Sequence, residues 1–240
     1  MKLPSIEEML EAGVHFGHRT SKWHPKMKPY IFGARKGIYI IDLEISLAKL
    51  EAAGQFISQS VANNKKILLV GTKPQVSGLL KKIAKEVNMP YVSEHWIGGL
   101  LTNFPIIKKS IKKYKDLLEK KATGQLAKYT KKEQLEFDRQ ISKLEVAVGG
   151  LVDLNTTPEV IFIWDIKTEK TALAEANKKK IAVVAVCDTN VNPENVDYVI
   201  PANDDASKTI KLILEIIKEA IMEGQAQAIK NKTQAEKITK

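Results

Sequence analysis

Short apolar runs alternate with amphipathic helical stretches along most of this chain, and that alternation constrains its fold more than any other feature. Residues 66–70, 91–92, 160–164, 181–186 and 198–200 are apolar and too short for helices, so they read as strands. Residues 37–41 read as another. Between them Leu43, Leu47, Leu50, Ile57 and Val61 share one helical face, and Val76, Leu80, Ile83 and Val87 share a second after Pro74. Residues 168–177 read as a further helix, and Asp204 or Asp205 is expected to cap a last one ending near Met222. A capping box, Ser5-Ile6-Glu7-Glu8, opens a short first helix that Gly13 ends. Buried strands alternating with amphipathic helices predict an α/β fold with a parallel sheet covered on both faces.

The alternation stops between Phe104 and Val148. Ile107, Ile111, Tyr114 and Leu118 recur at four-three-four spacing, and Phe137, Ile141, Leu144 and Val148 repeat it after a second capping box, Thr130 with Glu133. Two narrow stripes joined by a short loop predict an antiparallel helical hairpin of coiled-coil type. From Lys108 to Lys143 there are twelve Lys/Arg against five Asp/Glu, so the arm is strongly basic. The expected organisation is one discontinuous α/β core, residues 1–104 and 149–224. Its insert is the hairpin, residues 105–148, and a flexible basic tail follows, residues 225–240.

A formal charge of +10 calls for a polyanionic partner, and nearly all of it is lysine; only Arg19, Arg35 and Arg139 are arginine. Lysine is a flexible point charge that screens phosphates with little sequence preference. No apolar run reaches the roughly 18 residues that span a bilayer. The first residues carry acids in place of an apolar signal core, and a lone Cys187 forms no internal disulfide, so a cytoplasmic setting is expected.

Residues 14–37 show neither period and read as an ordered loop. His15, His18, Arg19, Lys22, Trp23, His24, Lys26, Lys28 and Tyr30 interleave there, pinned by Pro25 and Pro29, with Arg35 and Lys36 close behind. Cations meet phosphates while Trp, Tyr and His stack on bases or riboses, so these residues are candidate RNA contacts. The plainer alternative is that Phe16, Trp23 and Tyr30 pack the loop onto the sheet. His15, His18 and His24 lack the cysteine and carboxylate company of a metal site, and no metal is expected. A second segment holds Trp96, Gly98, Gly99, Thr102 and Asn103, where a glycine pair and a helix start suit an anion. A tight turn with an ordinary cap explains it equally well. On the hairpin, Lys108, Lys109, Lys112 and Lys113 complete the candidate RNA-binding set.

Gly71-Thr72-Lys73 follows a strand and precedes a helix, yet matches no phosphate-binding fingerprint. A nucleotide- or phosphosugar-binding enzyme using Thr72, Lys73, Asp165 and Asp188 is therefore the alternative reading; Lys73 is expected to point to solvent or RNA. Asp165, Asp188, Asp197, Asp204 and Asp205 read as turn and cap residues, and Cys187 as a small buried side chain. A membrane or cytoskeletal adaptor is disfavoured because the hairpin's stripe is consumed by pairing.

In this order the motifs become specific. Residues 11–20 read EAGVHFGHRT, and Trp23-His24-Pro25-Lys26-Met27-Lys28, Ile38-Tyr39-Ile40-Ile41-Asp42, Trp96-Ile97-Gly98-Gly99 and Leu101-Thr102-Asn103-Phe104 follow. Asp188-Thr189-Asn190 and residues 196–206, VDYVIPANDDA, complete the set. Over roughly residues 5–222 the chain resembles the bacterial form of ribosomal protein two of the small subunit. The resemblance implies a flavodoxin-like three-layer αβα fold with an inserted helical hairpin. It also implies contacts with ribosomal RNA and other small-subunit proteins, including the large messenger-binding ribosomal protein S-one. No enzyme activity, cofactor, small-molecule substrate or membrane is implied. The pattern departs from the family at His95, commonly basic, at the hairpin tip and over residues 149–158.

Overall fold

The computed structural model describes residues 1–238, with side chains through Lys232. Helix α1 (Ile6–Ala12) carries the capping box read from sequence: Ser5 Oγ accepts from Glu8 N, and Gly13 closes the helix at φ 79°. Three strands follow, β1 (Phe16–Arg19), β2 (Ile31–Arg35) and β3 (Ile38–Ile41), paired antiparallel in the order β1-β3-β2. The segment expected to be loop thus supplies two strands of a small sheet, joined by short helical turns at Thr20–Lys22 and Pro25–Tyr30. Lys36 and Gly37 both have positive φ, which gives the two-residue turn that suits a twisted hairpin and places Arg35 and Lys36 at its tip.

The main body alternates α2 (Leu43–Ala62), β4 (Ile67–Val70), α3 (Pro74–Glu86) and β5 (Tyr91–Val92). After α4 (Phe104–Ala122) and α5 (Lys131–Val148) come β6 (Val160–Trp164), α6 (Lys170–Lys178), β7 (Ala182–Cys187), β8 (Tyr198–Pro201) and α7 (Ser207–Ile238). The five strands β4 to β8 form a parallel sheet in the order β5-β4-β6-β7-β8, the flavodoxin-like order expected. Successive strand residues feed opposite faces. Ile67, Leu69, Phe162, Trp164 and Val184 pack with Leu50, Ile57, Leu80 and Ile217, whereas Leu68, Val70, Ile161, Ile163 and Val183 pack with Leu101, Ala172 and Ala176. Both faces are dry, and each buried Val, Leu or Ile contributes roughly 1.5–3 kcal/mol. That is why the strands read as unbroken apolar runs.

Helices α4 and α5 lie against each other. Lys121 Nζ meets Asp138 Oδ1 at 2.7 Å near the turn, and Tyr114 lies beside Gly149 at the other end. The buried stripe is Ile107, Ile111, Tyr114 and Leu117 with Ile141 and Val148. Leu117 takes the place expected of Leu118, which is 38% exposed, because a straight helix drifts from a strict seven-residue repeat. The last helix also differs from expectation: it runs on past Met222, and Gln225 Nε2 donates to Val87 O. Of the expected flexible tail, residues 225–238 are helical; residues 239–240 lie outside the described residues.

Candidate nucleic-acid interface

The basic N-terminal segment is bolted to the carboxyl end of the parallel sheet. His24 N donates to Thr189 O at 2.8 Å, His18 N to Thr189 Oγ1 at 2.9 Å, and Asn203 Nδ2 to Gly13 O at 3.2 Å. The approach is close enough to require glycine. A Cβ on Gly17 would stand 2.6 Å from Thr189 Cγ2 and 3.0 Å from Tyr39 O. Met27 is fully buried and Trp23 packs on Tyr39, ring centres 5.0 Å apart. Tyr30 and His15 are half-buried, and burial holds His15 below its usual pKa. Trp23 and Tyr30 thus help fasten the segment, while Phe16 and Phe32 are exposed, as are Arg19, Lys22, Lys26, Lys28, Arg35 and Lys36. Lys26 is held 2.6 Å from Glu194, and His24 Nδ1 accepts from Lys26 N at 3.3 Å.

The second segment is organised around an anion that the chain supplies itself. Glu175, buried on α6, accepts from Trp96 Nε1 (3.1 Å), Gly99 N (2.7 Å), Leu101 N (3.0 Å) and both N and Oγ1 of Thr102 (3.0 Å each). Burial opposes its ionisation, but these donors outweigh it and hold the carboxyl below the ordinary glutamate range. Trp96 is only 6% exposed. Trp96, Gly99 and Thr102 therefore have their donors turned inward, and of the candidate contacts here Gly98 and Asn103 remain exposed. Gly99 sits at φ +88°, which glycine adopts without strain.

The third region is α4. Lys108, Lys109, Lys112 and Lys113 are all exposed. The first three, with Lys115, border a groove of about 470 Å³ floored by Ile111, Val152 and Leu154. Lys108 Nζ donates to Asn155 O at 3.2 Å, which fixes one wall.

Between these regions, where β4, β6, β7 and β8 end, lies a buried polar cluster that sequence reading scattered among turns. Lys73 Nζ stands 3.0 Å from Asp165 Oδ2, 2.9 Å from Asp204 Oδ2 and 3.0 Å from Asp205 Oδ1. Its head is therefore turned into the acids, not to solvent or RNA. Burial disfavours its charge, but Asp204 and Asp165 more than offset that and hold its pKa up. Asp165 does also form the expected turn, accepting from Lys167 N and Thr168 Oγ1. Asp188 accepts from Thr189 N and stands 3.1 Å from His18 Nδ1; their hydrogen bond raises the His18 pKa. Asp204 does not cap α7; Asn203 Oδ1 instead accepts from Asp205 N and Ala206 N ahead of it. Burial, reinforced by Asp188 and Asp165, pushes Asp204 up to about 7. Its Oδ1 is buried without a hydrogen-bond partner.

Among the described residues, His18, Asp188 and Asp204 bring ligand atoms within 4.8 Å of one another. One imidazole and two carboxylates are a donor set that could hold a divalent cation such as zinc. His15 and His24 are not part of it. Three chain segments supply these atoms, so no local spacing advertises them. Thr72 donates through N and Oγ1 to Glu169, whose pKa burial raises. Thr72, Lys73, Asp165 and Asp188 thus satisfy neighbours instead of framing an open cleft. Cys187 is fully buried, and burial pushes its thiol pKa far up, out of nucleophilic range. A family model described as ribosomal protein S2 matches residues 9–224.

Proposed function

The chain belongs to the ribosomal protein S2 family, a structural family of the small ribosomal subunit and not an enzyme family, and on that premise we propose that it binds ribosomal RNA through two separated basic surfaces. One is the exposed rim of the N-terminal segment, Arg19, Lys22, Lys26, Lys28, Arg35 and Lys36. The other is the lysine face of α4. The observation that carries this reading is the division of labour within the N-terminal segment: Met27, Trp23, Tyr30 and the His18 imidazole are spent on docking, and the cations are left outside. Rigid placement lets modest phosphate contacts act together, each adding avidity to the next. Trp96, Gly99 and Thr102 act as the internal frame of this surface, with Glu175 in the place of a phosphate.

In this reading the protein contributes architecture in the cytoplasm and catalyses nothing. Neighbouring small-subunit proteins, the messenger-binding S-one among them, dock on the assembled particle. The α4–α5 arm acts as a projecting unit of the core. Among the described residues no helix is long and apolar enough to cross a membrane.

Cosedimentation with small subunits lacking this protein tests the proposal. Binding is expected in low salt and release in high salt. Replacing Lys108, Lys109, Lys112 and Lys113 by Gln should flatten the dependence of log affinity on log salt by about 3, at roughly 0.7–0.9 for each phosphate no longer neutralised. An unchanged slope would remove α4 from the interface.

A further inference from the structure

Three ligand atoms meet where the small sheet is fastened to the large one. They belong to His18 on β1, Asp188 after β7 and Asp204 after β8, and all lie within 4.8 Å of one another. Each residue is braced from behind. Asp188 Oδ1 accepts from Thr189 N and Oγ1, while its Oδ2 stands 3.1 Å from His18 Nδ1. Asp205 Oδ2 faces the other imidazole nitrogen, Nε2, at 3.9 Å, the side from which a carboxylate orients a metal-bound histidine. Asp204 gives Oδ2 to Lys73 at 2.9 Å and accepts nothing through Oδ1, although the residue is only 1% exposed. Its backbone N lies 3.4 Å from Asp188 Oδ2, so the unpartnered oxygen belongs to a residue packed against the other ligands. A buried carboxylate oxygen with no donor is costly, and the cluster is incomplete without a cation.

Geometry and charge select that cation. Zinc bonds of about 2.0–2.2 Å put neighbouring ligands roughly 3.3–3.5 Å apart round a four-coordinate ion, close to the separation of His18 and Asp188. An imidazole nitrogen favours zinc over magnesium, which asks for a shell of oxygens. Asp165, Asp188, Asp204 and Asp205 bring four carboxylates against the one ammonium of Lys73, and a divalent ion reduces that excess without reversing it. The His18 side chain is 26% exposed, which leaves the ion a way in. We propose that His18, Asp188 and Asp204 hold one zinc ion, its shell completed by solvent, and that this ion clips β1 to the carboxyl end of the parallel sheet. One ligand comes from the small sheet and two from the large, so binding stabilises the seam between them. The clip goes beyond the proposed function and stands whether or not RNA is bound.

Calorimetric titration of zinc chloride into the full chain, first stripped with a chelator, tests this. One zinc per chain is expected, and magnesium chloride should give no comparable heat. Added zinc should slow amide exchange across residues 16–41 by about tenfold or more and raise the melting temperature. His18→Gln and Asp204→Asn should each weaken zinc binding by about tenfold or more. His95→Gln, at an exposed histidine outside the cluster, should bind zinc like the parent. Cobalt in place of zinc should give the visible bands of a four-coordinate ion in the parent and lose them in His18→Gln. Stoichiometry and exchange are read on the parent, so a variant that folds poorly does not shield the proposal. A parent that takes up no zinc, responds equally to magnesium, or binds zinc with no slowing at residues 16–41 would overturn the clip. So would zinc binding that survives undiminished in a folded His18→Gln chain.

Discussion

At Glu175 five donors converge on one buried carboxylate, and all of them come from a loop more than seventy positions earlier in the chain. The glycine pair and the polar helix start do surround an anion, which their chemistry suggests from sequence alone. Which anion fills the place is not legible there, because nothing local to Trp96 or Thr102 points to a glutamate on α6. Glu175→Gln should destabilise the fold by about 2–3 kcal/mol, since an ionised acceptor is replaced by an amide that matches the donors poorly. The sign of the pH effect follows from the depressed folded pKa. The stability that ionised Glu175 provides is present above the ordinary value of 4.5 and is lost as pH falls through the lower folded value. Urea melts from pH 6 downward should therefore fall less steeply for Glu175→Gln than for the parent below about pH 4.5.

The elements differ in how openly the sequence declares them. Strands β4, β6 and β7 are buried on both faces, so their apolar runs are continuous and visible. Helices α1 and α5 announce themselves through reciprocal caps. Strands β1 and β2 do not, because their exposed edges carry the cations and their ends are tied by Lys36-Gly37 and by close contact at Gly17, none of which leaves a two-residue period. Helix α5 is legible but thinly anchored: Ile141 and Val148 are its buried residues, while Leu135 and Val146 are more than half exposed. Ile141→Ala should cost about 2–4 kcal/mol, felt locally. Amide exchange should quicken across α4 and α5 while β6 and β7 keep their protection. Equal acceleration everywhere would mean that the arm and core open together.

At the scale of the whole molecule, Thr189 lies at the centre of the seam between the small antiparallel sheet and the large parallel one. Thr189, fully buried, receives backbone donors from His18 and His24 and leaves no room for a side chain at position 17. Gly17→Val should push the two sheets apart without disturbing the packing of β4 to β8. The measurement is amide protection: residues 16–41 should lose it, and the five-stranded sheet should retain it. Cosedimentation with small subunits should weaken in parallel, because the outward cations would no longer hold a fixed position relative to α4. The lysine-rich composition points to a polyanionic partner from the start; only the folded chain shows which cations of the N-terminal segment and of α4 stand outward.

Lys73 carries a consequence of its own. Sheets with this strand order ordinarily keep the crevice beyond their strand ends for a visitor such as a nucleotide. Here a covalently attached ammonium group, clasped by Asp165, Asp204 and Asp205, is the permanent tenant. The place that strand order alone would offer to a phosphate is thus taken by the chain's own cation. Binding a nucleotide there would first require those three ion pairs to break.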